Sequence, residues 1–145
     1  MNTVKKVLFI CVHNSGRSQI AEAYLSRLGG DRFRVESAGL EPADRVHPLV
    51  VEVMKEEGID LSDKKPQSVF DLFTQGRLFE QVVAVCDGAS EAKCPIFPGI
   101  TQRLHWPFPD PATIDGPHEE KLAAAREIRD AIKARLVAEF DLSKR

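Results

Sequence analysis

A chain of 145 residues, 43% hydrophobic and 29% charged, is long enough to bury a core as one domain over residues 1–145 without disulfide or metal support. Its net charge of −2 leaves no basic footprint for nucleic acid, and its longest apolar run, residues 7–12, is far too short to cross a bilayer. Three cysteines make no structural disulfide framework and no small-residue cleavage site follows Lys5 and Lys6, so the chain reads as a cytoplasmic monomer with no membrane partner.

Val4 to Ile10 is short and rich in Val, Leu, Ile and Phe, the pattern of a buried strand. Ser18 to Leu28 follows as a helix, with Ile20, Tyr24 and Leu28 on one face beside Ala21 and Leu25, closed by Gly29 and Gly30. Phe33 to Ser37 predicts a second strand running into "SAG". Pro48 to Glu57 predicts a helix that buries Leu49, Val50, Val53 and Met54 and stops at Gly58. The polar loop "DLSDKKPQ" leads to a short helical segment, Val69 to Phe73. Gln81 to Val85 predicts a third strand, and a Pro- and Gly-rich loop carries the chain to a fourth near Thr101 to Trp106. A long last helix begins at Pro117, expected at the first helical position. Glu119 and Glu120 fall in its first turn, and Leu122, Ala125, Ile128, Ile132, Leu136 and Phe140 form its stripe.

Strands alternating with helices predict an α/β fold with a mostly parallel sheet covered on both faces, and such sheets bind ligands at the carboxyl ends of their strands. The first strand ends at Cys11, the third at Cys86, and the fourth runs into the loop holding Asp110. Residues scattered over a hundred positions thereby converge on one edge.

"CVHNSGRS", Cys11 to Ser18, has the form of an anion loop. A loop entering a helix offers unpaired N–H groups and the positive end of the helix dipole. His13, Asn14, Ser15, Gly16, Arg17 and Ser18 are the candidate oxyanion binders. Gly16 would let the backbone approach a ligand, and Arg17 can grip a tetrahedral oxyanion with two N–H groups. His13 reads as an exposed residue. An ordinary thiol is only ~3% ionised at neutral pH, so a nucleophilic Cys11 calls for charge and hydrogen-bond donors around the sulfur, with Arg17, the N–H groups and the Ser18 hydroxyl available. The competing reading is an inert strand-end cysteine, for which Asn14, Ser15, Arg17 and Ser18 would be odd neighbours. No Gly-Lys-Ser/Thr sequence supports ATP binding, and no Cys-x2-Cys or His-x3-His spacing supports a zinc centre.

Cys-x5-Arg-Ser near the N-terminus, "SAG" after the second strand and Asp110-Pro111 together resemble the low-molecular-weight protein tyrosine phosphatase superfamily over nearly the whole chain. Within it, "NSGRSQIAEA", "HWPFPDP" and the pair Cys86 and Cys94 are most similar to thioredoxin-coupled arsenate reductases. The resemblance implies a three-layer α/β/α fold around a four-stranded parallel sheet and no organic cofactor. It also implies catalytic roles for Cys11, Arg17, Cys86, Cys94 and Asp110. Cys11 attacks arsenate, Asp110 protonates the leaving oxygen, Cys86 attacks the Cys11 sulfur, and Cys94 takes over the disulfide for reduction by thioredoxin or another thiol donor. Some relatives hold potassium beside the loop, which implies a site at Asn14, Glu22 and Ser37, although Lys64, Lys65 and Gln67 stand where further oxygen ligands are expected and a lysine ammonium could replace the ion.

If residues 86–94 were one helix, their ends would lie about 12 Å apart, whereas a disulfide needs roughly 4.4–6.8 Å between Cα atoms. The segment is therefore expected to bend or unwind in turnover, with Gly88 and Pro95 favouring that. Two readings compete with the reductase. One is a phosphatase acting through a cysteinyl-phosphate, with Cys86 and Cys94 as bystanders; Ala112 and Thr113 after Asp110-Pro111 supply no aromatic wall for phosphotyrosine. The other is a non-catalytic anion sensor, which would need neither nucleophile nor acid. His105 and Trp106 read as strand-end packing.

Overall fold

The computed structural model describes residues 4–86 and 101–142. Four strands, β1 (Lys5–Cys11), β2 (Phe33–Gly39), β3 (Gln81–Ala84) and β4 (Gln102–His105), form one parallel sheet in the order β2-β1-β3-β4. The helices are α1 (Arg17–Gly29), α2 (Pro48–Lys55), α3 (Val69–Thr74) and α4 (His118–Glu139). The expected α/β sheet is present, with helices on both faces.

β1 is central, and its last five residues are all buried, as an apolar strand covered on both faces requires. Val7, Phe9 and Cys11 join the larger core with Ile20, Ala21, Tyr24 and Leu25 of α1 and Ile128, Ile132 and Leu136 of α4. Leu8 and Ile10 point the other way, against Val69 and Leu72 of α3. Leu49 and Val53 of α2 pack on Leu122 and Ala125 of α4. Trp106, just beyond β4, sits between the rings of Phe9 (6.2 Å) and Phe140 (6.0 Å), tying the ends of β4 and α4 to the first strand.

Local chemistry sets the helix starts. The Ser68 hydroxyl accepts from the N–H groups of Phe70 and Asp71 at the head of α3. The His47 Nδ1 accepts from Leu49 N–H where Pro48 opens α2. Pro117, expected inside the last helix, is instead its cap. Its backbone is extended, and its carbonyl accepts from the N–H groups of Glu120 and Lys121 at 3.0 Å, so helical geometry begins at His118. No helix among the described residues is long and apolar enough to cross a membrane. Cys94, and with it the expected rearrangement of the stretch between Cys86 and Cys94, lies outside the described residues.

Candidate active site

The loop from Cys11 to Gly16 is held from behind. The carbonyls of Cys11, Val12, His13 and Ser15 accept from the N–H groups of Leu40, Glu41, Ala43 and His47 at 2.7–3.2 Å. Because the C=O and N–H of one planar peptide point in opposite directions, the N–H groups of Val12, His13, Asn14 and Gly16 are turned away from residues 40–47. That is the orientation an anion cradle needs. Gly39, the glycine of "SAG", makes this close packing possible. A Cβ there would stand 2.7 Å from the Val12 carbonyl oxygen, 2.8 Å from Asn14 N and 2.9 Å from the His13 carbonyl carbon.

Asn14 is the pivot of the loop. It adopts a left-handed backbone (φ 52°) and is completely buried. Its amide donates to Ser18 Oγ at 2.7 Å and to Ser37 Oγ at 2.9 Å. Its side-chain oxygen accepts from Gln67 N–H at 2.9 Å and from the Gln19 amide at 3.2 Å. Ser18 Oγ lies 2.9 Å from the Cys11 sulfur. Since that oxygen already accepts from Asn14, its own proton is available to the sulfur. Ser37 in turn donates to Glu22 Oε1 at 2.6 Å, and Lys64 Nζ donates to Glu22 Oε2 at 2.6 Å. The three residues of the implied potassium site are thus brought together. They do not suit a potassium ion, because both Glu22 oxygens are engaged and an ammonium already stands beside them. Among the described residues, no three His, Cys, Asp or Glu side chains gather as a metal cluster.

Cys11, His13, Ser15, Gly16, Arg17 and Asp110 line a small cleft. Arg17 is buried. Its guanidinium donates to the Phe108 carbonyl at 3.1 Å and pairs with Asp110 Oδ2 at 3.6 Å, so the arginine reaches toward the loop carrying the candidate acid. Asp110 uses its other oxygen to cap residues 111–113 through Ala112 N–H at 2.9 Å. Gly16 lines the cleft, and the space a Cβ would take is bounded by Pro111 Cγ at 3.3 Å, so this glycine also brings the two loops together. The left-handed backbone of the loop belongs to Asn14. His13 is exposed, as expected, and its Nδ1 bonds the Glu41 carbonyl at 2.9 Å.

Cys86 is buried just beyond β3, in the same apolar cluster as Cys11. β1 and β3 pair with Ile10 opposite Ala84, and Val85 N–H donates to the Ile10 carbonyl, so one further step sets Cys11 opposite Val85. With strands about 4.8 Å apart and a rise of about 3.3 Å per residue, regular strand geometry continued to Cys86 would put its Cα about 6 Å from that of Cys11, inside the disulfide range. Trp106 is the packing residue expected of it. His105 does more, since its Nε2 bonds the Cys86 carbonyl at 2.6 Å. Gln19, the Phe108 carbonyl and this imidazole were not singled out as site groups from sequence. The Phe108 carbonyl and the imidazole act through contacts that only the tertiary fold creates.

The strongly shifted groups lie at the junction of α1, α2 and α4. Hydrogen bonds from Arg126 and then Arg129 hold the Glu56 carboxyl down at about 2. Burial, and then the Glu57 carboxylate, push the Tyr24 phenol up. These are structural ties between helices, remote from the cleft.

The family model described as low molecular weight phosphotyrosine protein phosphatase matches residues 6–141. An arsenate reductase of Halalkalibacterium halodurans is 40% identical over 132 residues, covering 91% of this chain and 92% of its own. The structure of a thioredoxin-dependent arsenate reductase of Corynebacterium glutamicum is 35% identical, with a TM-score of 0.67. The match covers 97% of this chain, which spans 64% of that longer one. A structure titled as an arsenate reductase in the oxidized state has a TM-score of 0.76 at 29% identity, covering 92% of this chain and 95% of that one. The chain belongs to the low molecular weight phosphotyrosine protein phosphatase family, where its relatives include the arsenate reductases.

Proposed function

We propose that this protein is an arsenate reductase that converts arsenate to arsenite through a cysteine relay. The loop N–H groups and Arg17 take the oxyanion, with His13, Asn14, Ser15, Gly16 and Ser18 shaping the cradle. The Cys11 thiolate attacks arsenic and Asp110 protonates the oxygen that leaves as water, giving a Cys11–S–As(V) adduct. The Cys86 thiolate then attacks the Cys11 sulfur. The S–As bond breaks with its electron pair remaining on arsenic, so As(V) becomes As(III) and a Cys11–Cys86 disulfide forms. Cys94 attacks Cys86, returns Cys11 as a thiol and leaves a Cys86–Cys94 disulfide for thioredoxin or another dithiol donor.

The observation that carries this reading is the second buried cysteine just beyond β3, the strand that pairs with the one ending at Cys11. A hydrolytic enzyme has no use for it. Relatives named arsenate reductase support the same reading. The cytoplasmic, monomeric single domain belongs to this proposal. A second reading, phosphate-ester hydrolysis, draws on the same Cys11, Arg17 and Asp110, but Ala112 and Thr113 offer an aromatic phosphoester no ring to stack on.

The test is to count free thiols anaerobically on fully reduced protein, with and without a modest excess of arsenate. Reduction of arsenate takes the count from three to one, and peptide mapping finds Cys86 joined to Cys94. Three thiols retained in the presence of arsenate would overturn the reductase reading in favour of hydrolysis.

A further inference from the structure

We propose that His105 is a positioning residue for the second thiol. Its imidazole holds the Cys86 carbonyl so that the Cys86 sulfur faces Cys11. This rests on the relay proposed above and adds a residue to its second step.

A carbonyl only accepts, so the 2.6 Å contact places a proton on His105 Nε2, and that donor persists whether the ring is neutral or charged. The bond sits where the sheet stops. The β3–β4 ladder runs from Gln102 N–H to the Glu80 carbonyl, ending with Trp106 N–H donating to the Ala84 carbonyl at 2.8 Å. Parallel spacing would next call on the N–H of Phe108 for the Cys86 carbonyl. β4 has ended by then, at His105 with Pro107 two residues on, and the imidazole serves that carbonyl instead.

Direction is what this bond controls. Residues paired across β1 and β3 share a face, so Cys11 and Val85 would point the same way. A continued pleat would send the Cys86 side chain to the opposite face. The chain bends at Cys86, and the residue packs in the cluster that holds Cys11. The peptide plane after Cys86 thereby decides where its sulfur points, and His105 is the side chain that grips this plane. A thiolate misdirected by about 1 Å can lose on the order of a hundredfold in rate. His105 is itself anchored, because its backbone pairs with Ala84 and the next residue, Trp106, is wedged between Phe9 and Phe140.

The experiment follows formation of the Cys86 disulfide, to Cys11 first and to Cys94 after transfer, in a single turnover with arsenate, by rapid acid quench, alkylation and mass mapping. It compares wild type with His105→Gln, His105→Leu and His105→Ala. Protection of Cys11 from iodoacetamide by inorganic phosphate reports the anion loop independently. Gln carries a donor at nearly the Nε2 position, whereas Leu keeps bulk without one. The expected result is a loss of about ten- to a hundredfold in Leu and Ala, near-wild-type rate in Gln, and unchanged phosphate protection in all. If wild type itself forms no disulfide with arsenate, the relay fails and this proposal with it. If wild type forms it and the Leu variant does so equally fast, only the role of His105 is overturned. Loss of phosphate protection in parallel with the rate, or no recovery in Gln, also overturns it in favour of a general structural role. Should Ala unfold, the comparison of Leu with Gln decides.

Discussion

Gly39→Ala adds one methyl group where the structure has no room for it. The new Cβ would meet the Val12 carbonyl oxygen at 2.7 Å, Asn14 N at 2.8 Å and the His13 carbonyl carbon at 2.9 Å. All three are backbone atoms of the anion loop, so no side chain can swing aside. Restoring an ordinary contact of 3.4 Å from 2.7 Å moves the loop by about 0.7 Å. Overpacking of this kind costs about 1–3 kcal/mol. At roughly 2–4 °C per kcal/mol for a chain of this size, the melting temperature falls by several degrees. The functional cost is larger, because the displaced atoms are those that aim N–H groups at the ligand: kcat/KM for arsenate should fall by about 10- to 100-fold. Phosphate should also lose its protection of Cys11 against alkylation. The control is Gly76→Ala, where φ is +72° and nothing lies within 4 Å, so backbone strain is introduced far from the loop. If Gly39→Ala keeps wild-type kcat/KM and phosphate protection, the loop is not braced by this contact and the geometry argued for the cradle is wrong.

Ser18→Ala removes the hydroxyl 2.9 Å from the Cys11 sulfur; the alkylation rate of Cys11 at neutral pH should drop about tenfold, the equivalent of roughly 1.4 kcal/mol. Lys64→Met strips Glu22 of one of its two partners while Lys64→Arg keeps a cation there. Arsenate turnover at matched ionic strength should fall several-fold in Met and stay near wild type in Arg, and equal rates would remove Lys64 from the loop's support. Glu56 is held from the ordinary 4.5 down to about 2 by its arginines, so its contribution to stability is present above about pH 4.5 and lost as pH falls toward 2. Because its side chain is about one-third exposed, solvent screening keeps that contribution near ~1 kcal/mol. Glu56→Gln should therefore lower the melting temperature by a few degrees at pH 7 and by nothing measurable near pH 2, and a uniform loss at both would refute the assignment.

The elements were legible because this fold writes each one as a distinct pattern. Residues 7–11 form an unbroken apolar run because β1 is covered on both faces, and the four-residue spacing of Ile20, Tyr24 and Leu28 marks the inner side of α1. Cys11, Arg17 and Asp110 could be grouped from sequence since parallel strands bring their carboxyl ends to one edge. The points that sequence leaves unread share a cause. Asn14 tolerates a left-handed backbone only because Ser18, Ser37, Gln67 and Gln19 satisfy its amide, and three of those partners are remote in sequence or hidden in an amphipathic pattern. Gly16 reads as a ligand-facing glycine and lines the cleft, but that its Cβ space is bounded by Pro111, nearly a hundred residues on, has no local signature. The imidazole of His105 serves a carbonyl nineteen residues earlier, a relation that no local spacing encodes.

The strand order β2-β1-β3-β4 gives Cys11 two different neighbours. On the β2 side stand Gly39 and Ser37, which hold the cradle; on the β3 side stands Cys86. In the proposed relay, capture of the oxyanion and disposal of the bound product fall to opposite flanks of one strand. On that reading, a change at the exit of β3 would alter the reductive chemistry while the capturing half goes on untouched.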